Sequence, residues 1–216
     1  MYPIWDLLQR LVHWCFLILI AFAWWSAEKG QMQWHAYAGC TLLVLVLWRC
    51  LWGFMGSEYA RFSQFVVGLP SIIAYLRGDR SEQPGHNPMG GWSVISMLAL
   101  LLVQTISGLF NTDELLLQGP LTVFATDGII EIASEIHEAS WLAIQVLALL
   151  HIVVVCYHQW VRKDGLITQM GFGSKLTLVP TSRPKLGLGV LVLAFVAALV
   201  VTIGLWLPEP EPLWSF

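Results

Sequence analysis

Five stretches of the chain are each long and apolar enough to cross a membrane as a helix, and that feature excludes most folds at once. A hydrocarbon core about 30 Å thick needs roughly 20 residues of helix, with backbone polar groups paired inside the segment. The stretches run over about 7–27, 35–54, 91–110, 137–160 and 186–207. Trp5, Trp24, Trp25, Trp34, Trp52, Trp92, Trp160 and Trp206 stand at their ends, as an aromatic belt does. With 57% hydrophobic and 12% charged residues in 216 positions, the composition lies outside the range of soluble domains. The expected fold is all-α, an integral membrane helical bundle forming one domain over 1–216. Ala21-Phe22-Ala23 imitates a signal-peptide cleavage site, but Arg10 is the only basic residue before it and cleavage would discard His13, so retention is expected.

Basic residues set the orientation, because cytoplasmic loops retain them. One side holds Arg10, Arg61, Arg77, Arg80, Arg162, Lys163, Lys175, Arg183 and Lys185. The other holds Lys29 against Glu28, Asp113, Glu114, Asp127, Glu131, Glu135, Glu138, Glu209 and Glu211, a charge of −8 if Lys29 alone offsets them. The amino terminus is expected inside and the carboxyl terminus outside. The acidic face has two explanations: it follows from retention of basic residues inside, or it docks a cationic electron-transfer partner by a single-sign field. No long basic run points to nucleic acid.

Four of the six histidines fall in two depth-matched pairs inside these stretches. His137 and His151 are fourteen residues apart, which on one helix gives a shared face and about 21 Å of axial separation. His13 lies about 12 Å along the first helix from the inner side, and His151 about 13.5 Å from the inner end of the fourth. His35 and His137 both stand near outer helix starts. Intramembrane ionisable groups are costly and usually functional, and paired levels suit axial ligation of two flat macrocycles, which predicts two stacked haems. Zinc or copper fits less well, since Cys40 and Cys50 are not spaced with the histidines for tetrahedral closure. Cys15, Cys40, Cys50 and Cys156 read as small buried hydrophobes, and without a C-x-x-C-H motif any haem is non-covalent.

Other residues fit these levels. Arg49, fourteen residues after His35, shares its face at the depth of the inner pair, where it either meets a haem propionate or snorkels to the headgroups. Gly39, one turn after His35, removes a side chain from the face that must approach a porphyrin, or serves helix packing alone. His158, about 10.5 Å beyond His151, is too near for a second iron and is placed at the inner interface, by a propionate, a quinone or solvent. Residues 57–80 read as short interfacial helices broken at Gly68-Leu69-Pro70. Residues 81–91 read as a turn-rich connection carrying a solvated His86, and 111–136 as an acidic outer loop.

Taken together, Trp5-Asp6-x3-Arg10-x2-His13-Trp14, His35-x3-Gly39, Arg49-x2-Trp52-Gly53-Phe54-x-Gly56-x2-Tyr59-Ala60-Arg61-Phe62, and His137 with His151 resemble the bacterial cytochrome b561 family. The stretch from Trp52 to Phe62 is most similar to the branch named after the b-type cytochrome subunit of nickel–iron hydrogenases. The resemblance covers about 5–163 and implies a four-helix core with two non-covalent b haems, ligated by His13, His35, His137 and His151 and exchanging electrons with quinones; the fifth helix lies outside that core. The expected function is electron transfer in the bacterial inner membrane between the quinone pool and a periplasmic partner, a soluble cytochrome c first among candidates. Arg10, Arg49, Arg61 and His158 are the candidate polar lining near the inner haem. The alternatives are the membrane anchor of a hydrogenase or another periplasmic oxidoreductase, a superoxide oxidase, and a non-catalytic haem-binding anchor.

Overall fold

The computed structural model describes residues 5–78, 87–112, 118–173 and 185–206. Arg80, His86, Asp113, Glu114, Lys175, Arg183, Glu209 and Glu211, all used in the sequence reading, lie outside the described residues, as does the last residue of the fifth stretch. Eight α-helices are described: α1 (Leu7–Glu28), α2 (Met32–Met55), α3 (Phe62–Phe65), α4 (Leu69–Leu76), α5 (Pro88–Leu109), α6 (Asp127–Trp160), α7 (Leu166–Phe172) and α8 (Leu186–Trp206). Five of them, α1, α2, α5, α6 and α8, have the length and hydropathy to span a membrane. The protein is an all-α membrane helical bundle.

Local chemistry explains the helix starts. Asp6 caps α1, its carboxylate accepting from the Gln9 backbone N–H at 2.8 Å. Asn87 does the same for α5 through Gly90 N–H at 2.6 Å, with Pro88 in the first turn. Residues 88–91 are therefore helical and not part of a turn-rich connection, since cap and proline together outweigh the glycines. A second correction concerns α6, which begins at Asp127 and absorbs ten residues of the expected outer loop. At 34 residues it is about 51 Å long, well beyond a hydrocarbon core. The inner segment after α2 does break into short helices, α3 and α4, on either side of 66–68.

The bundle is two helical hairpins with α2 at the centre. α1 packs on α2 and α5 on α6, while α2 also contacts α5 and α8. Half of α2's most apolar window is buried inside the protein, against 11% for both α6 and α8, so α2 is the central helix; α8, which packs mainly on α2 and less on α1, is peripheral. α8 seats against α1 and α2 at Gly189, where a side chain would collide with Leu8 and Trp52. Trp48 Nε1 donates to the Gly189 carbonyl at 3.0 Å. Large apolar residues such as Ile18, Leu142 and Leu191 face outward, as lipid solvent permits. Trp24, Trp25, Trp34, Trp92 and Trp160 are exposed, in keeping with a belt. Trp5 and Trp52 instead are buried; Trp52 Nε1 donates to Asp6 at 3.0 Å, which draws the indole inward.

Candidate functional site

α1 and α6, like α2 and α6, are not among the closely packed helix pairs, and their histidines meet across the space between the hairpins. The ring centres of His13 and His151 are 6.5 Å apart and those of His35 and His137 are 6.1 Å apart. Two imidazoles in line on one metal, with bonds of about 2.0 Å, have ring centres roughly 6 Å apart. Among the described residues no group of three His, Cys, Asp or Glu side chains gathers as a metal cage. Both pairs thus have the spacing of axial ligands on opposite sides of a planar group.

At the outer level His35 Nδ1 lies 2.9 Å from the Ala23 carbonyl, and His137 Nδ1 lies 3.0 Å from the Gln104 carbonyl and 3.2 Å from Ser107 Oγ. Each carbonyl takes an Nδ1–H, which leaves Nε2 as the free donor nitrogen, the usual arrangement for a ligating histidine. His137 Nε2 is 3.0 Å from the Gln104 side-chain amide, whose oxygen accepts from Ser140 Oγ at 2.5 Å. Ligation at Nε2 requires that amide to turn away while Ser140 remains available as its partner. A cavity of about 530 Å³ opens beside the pair, within the size range of cofactor pockets. Gly39 lines it, and a Cβ there would point into empty space, so this glycine faces the cradle. A Cβ on Gly108 would come within 3.0 Å of His137 Cε1, so the absence of a side chain there gives the imidazole its room. The lining is mostly apolar, with polar groups from Gln104, Thr105, Asn111, Thr112, Gln118 and Ser134.

At the inner level His13 Nδ1 is buried without a hydrogen-bond partner among the described residues. Arg49 is buried as well, 5% exposed, and neither terminal nitrogen of its guanidinium is paired. Its cation lies 5.2 Å from the centre of the Phe62 ring. Snorkelling, one of the two expectations for this residue, does not occur. An unpaired buried cation is costly, and a propionate at this depth would satisfy it. Arg61, at the elbow before α3, has a buried Nε that is also unpartnered among the described residues.

Two candidates have protein partners instead. Arg10 Nη1 donates to the Gly171 carbonyl at 2.9 Å at the end of α7, where a cation complements the helix dipole. His158 Nδ1 meets Asp164 Oδ2 at 2.7 Å in the connection between α6 and α7. Sequence reasoning missed Asp6, whose carboxylate accepts from Trp52 Nε1, from Ser57 Oγ at 2.5 Å and from Gln9 N–H. Between the two histidine levels lies an apolar layer built on Val46, Leu101 and Ile144, flanked by Phe16, Ile20 and Trp141.

Fold and site define a membrane-spanning helical cytochrome. Residues 4–173 match the family of prokaryotic cytochrome b561, and the chain belongs to that family. It is accordingly a bacterial membrane protein that binds b-type haem and transfers electrons. No curated protein and no solved structure matches it.

Proposed function

We propose that the chain is a dihaem cytochrome passing electrons between the quinone pool at the cytoplasmic side and a soluble partner, a cytochrome c by preference, at the periplasmic side. The observation that carries this reading is the pair of histidine couples at ligand spacing, 6.5 and 6.1 Å, on two levels of one bundle. His13 with His151 holds the inner haem, and His35 with His137 the outer one. Haem held between two imidazoles has no open coordination position and supplies one-electron exchange.

The chain's own residues do the rest. Ala23 and Gln104 orient the outer imidazoles through their carbonyls, Gly39 leaves room for the macrocycle, and Arg49 pairs with an inner propionate. The layer of Val46, Leu101 and Ile144 keeps water from the space between the levels. Arg49 and Arg61 supply cationic donors at the quinone end, which Arg10 and His158 frame by holding the connection from α6 to α7. The basic loops support an amino terminus in the cytoplasm and a carboxyl terminus in the periplasm.

Purified protein is expected to yield two haems b per chain in a pyridine haemochrome assay, extractable by acid acetone, and to be reduced by a quinol analogue as followed at the Soret and α bands. One haem per chain, or no reduction by quinol, contradicts this reading.

A further inference from the structure

The two histidine levels differ in their surroundings, in the hydrogen bonds of the imidazoles and in the charges beside them. We infer that the inner pair holds the higher-potential haem and the outer pair the lower-potential one; the inference rests on the dihaem reading above.

The first difference lies in the ligands. Both outer imidazoles give an Nδ1–H to a backbone carbonyl, His35 to Ala23 at 2.9 Å and His137 to Gln104 at 3.0 Å. Such a bond pushes electron density onto the ligating nitrogen and raises ligand basicity, which favours ferric iron. Neither ring of the inner pair makes a hydrogen bond among the described residues, and His13 Nδ1 is buried without one. Those ligands are the weaker donors, which favours ferrous iron.

The second difference is fixed charge. Arg49, at the inner level, is a buried cation; Asp6 offsets it only in part, since its carboxylate is engaged by Gln9, Trp52 and Ser57, and a nearby positive charge in a low-dielectric site stabilises an added electron. Among the described residues the outer cavity is lined by two carboxylates, Glu28 and Glu138, and by no lysine or arginine. Lys29 neighbours Glu28 but is exposed and does not line the cavity. Negative charge on that lining opposes an added electron there.

On this order an electron placed on the outer level moves downhill to the inner one. Two one-electron transfers from a reduced outer partner, with two protons taken up from the inner side, convert one quinone to one quinol.

The test is an optical redox titration of the purified, haem-loaded full chain, with haem counted first. Two one-electron components are expected, with the upper surviving in His35→Ala and the lower in His13→Ala. Arg49→Gln is expected to lower the upper component by about a tenfold change in its ferrous-to-ferric ratio, about 59 mV for one electron, and to leave the lower one in place. Glu138→Gln is expected to raise the lower component. If Arg49→Gln loses its inner haem, Arg49→Lys, which keeps the charge, should retain the upper component at its wild-type position. Two haems whose order is reversed, or which titrate as one component, overturn the inference and leave the dihaem reading intact. A single haem, or His13→Ala and His35→Ala losing the same haem, sinks the reading and the inference with it.

Discussion

Asp6 ties together three parts of the inner end that are distant in sequence: the first turn of α1, the last turn of α2 through Trp52, and the elbow at Ser57. Hydrogen bonds to a charged group contribute about 1.5–3 kcal/mol each, and losing a helix cap costs about 1 kcal/mol. Asp6→Ala is therefore expected to destabilise the bundle by about 3 kcal/mol or more, seen as a lower thermal midpoint in detergent, whereas Asp6→Asn keeps acceptor capacity and loses less. None of this was legible in the sequence, because Trp52 and Ser57 reach Asp6 only after the chain has turned. The histidine pairs were legible, since helical rise alone assigns their depths. Gly39 and Gly108 add a second test at this scale. Gly108→Val should push His137 out of place and remove one haem while the other remains; gel-purified variant protein that still carries both, with unchanged spectra, would falsify the role given to Gly108.

Elements that depend on hydropathy over 20 residues were readable, as were the short helices α3 and α4, whereas helix starts set by local capping were not. The first ten residues of α6, from Asp127 to Ile136, alternate acids with isoleucines and fall short of a membrane signal, yet they continue the helix without a break. The helix α7 was missed because seven residues carry no reliable period. Its signals are Gly165 and Gly173 on either side, both in the left-handed region with φ of 69° and 72°. Arg10 and Trp14 then hold its carboxyl end, through Gly171 and Met170. The fifth membrane helix is recognisable in sequence, but its docking is a matter of one position. Gly189→Leu is expected to prise α8 from α1 and α2 because Leu8 and Trp52 occupy that space. Both histidine pairs lie on other helices, so the haem spectrum should survive while the thermal midpoint in detergent falls. Loss of both haems in that variant would show that α8 supports the core more directly than its peripheral position implies.

Across the whole molecule the charges divide by side, and Glu131, Glu135 and Glu138 stand exposed on the outer part of α6 that leads into His137. If this stripe docks a basic partner, electron exchange with that partner slows steeply with salt, because the Debye length falls from about 10 Å at 0.1 M to about 3 Å at 1 M. Neutralising the three glutamates should slow association in stopped-flow measurements at low salt while both haem spectra stay as they are. A wild-type rate in the triple variant, without salt dependence, would reduce the stripe to a consequence of topology.

The layer of Val46, Leu101 and Ile144 gives the molecule a property that belongs to neither histidine pair alone. Its members are hydrophobic side chains, which carry no proton, while an electron can tunnel through them. Each crossing therefore moves uncompensated charge through part of the membrane dielectric, and a full traverse exchanges about 2.3 kcal/mol with every 100 mV of voltage. A cell that is positive outside resists inward electron flow by this amount, scaled to the fraction of the field between the two levels. In proteoliposomes, clamping the voltage with a potassium gradient and valinomycin should shift the equilibrium between the haems; indifference to voltage would mean that the layer leaks protons or that both levels sit on the same side of the field.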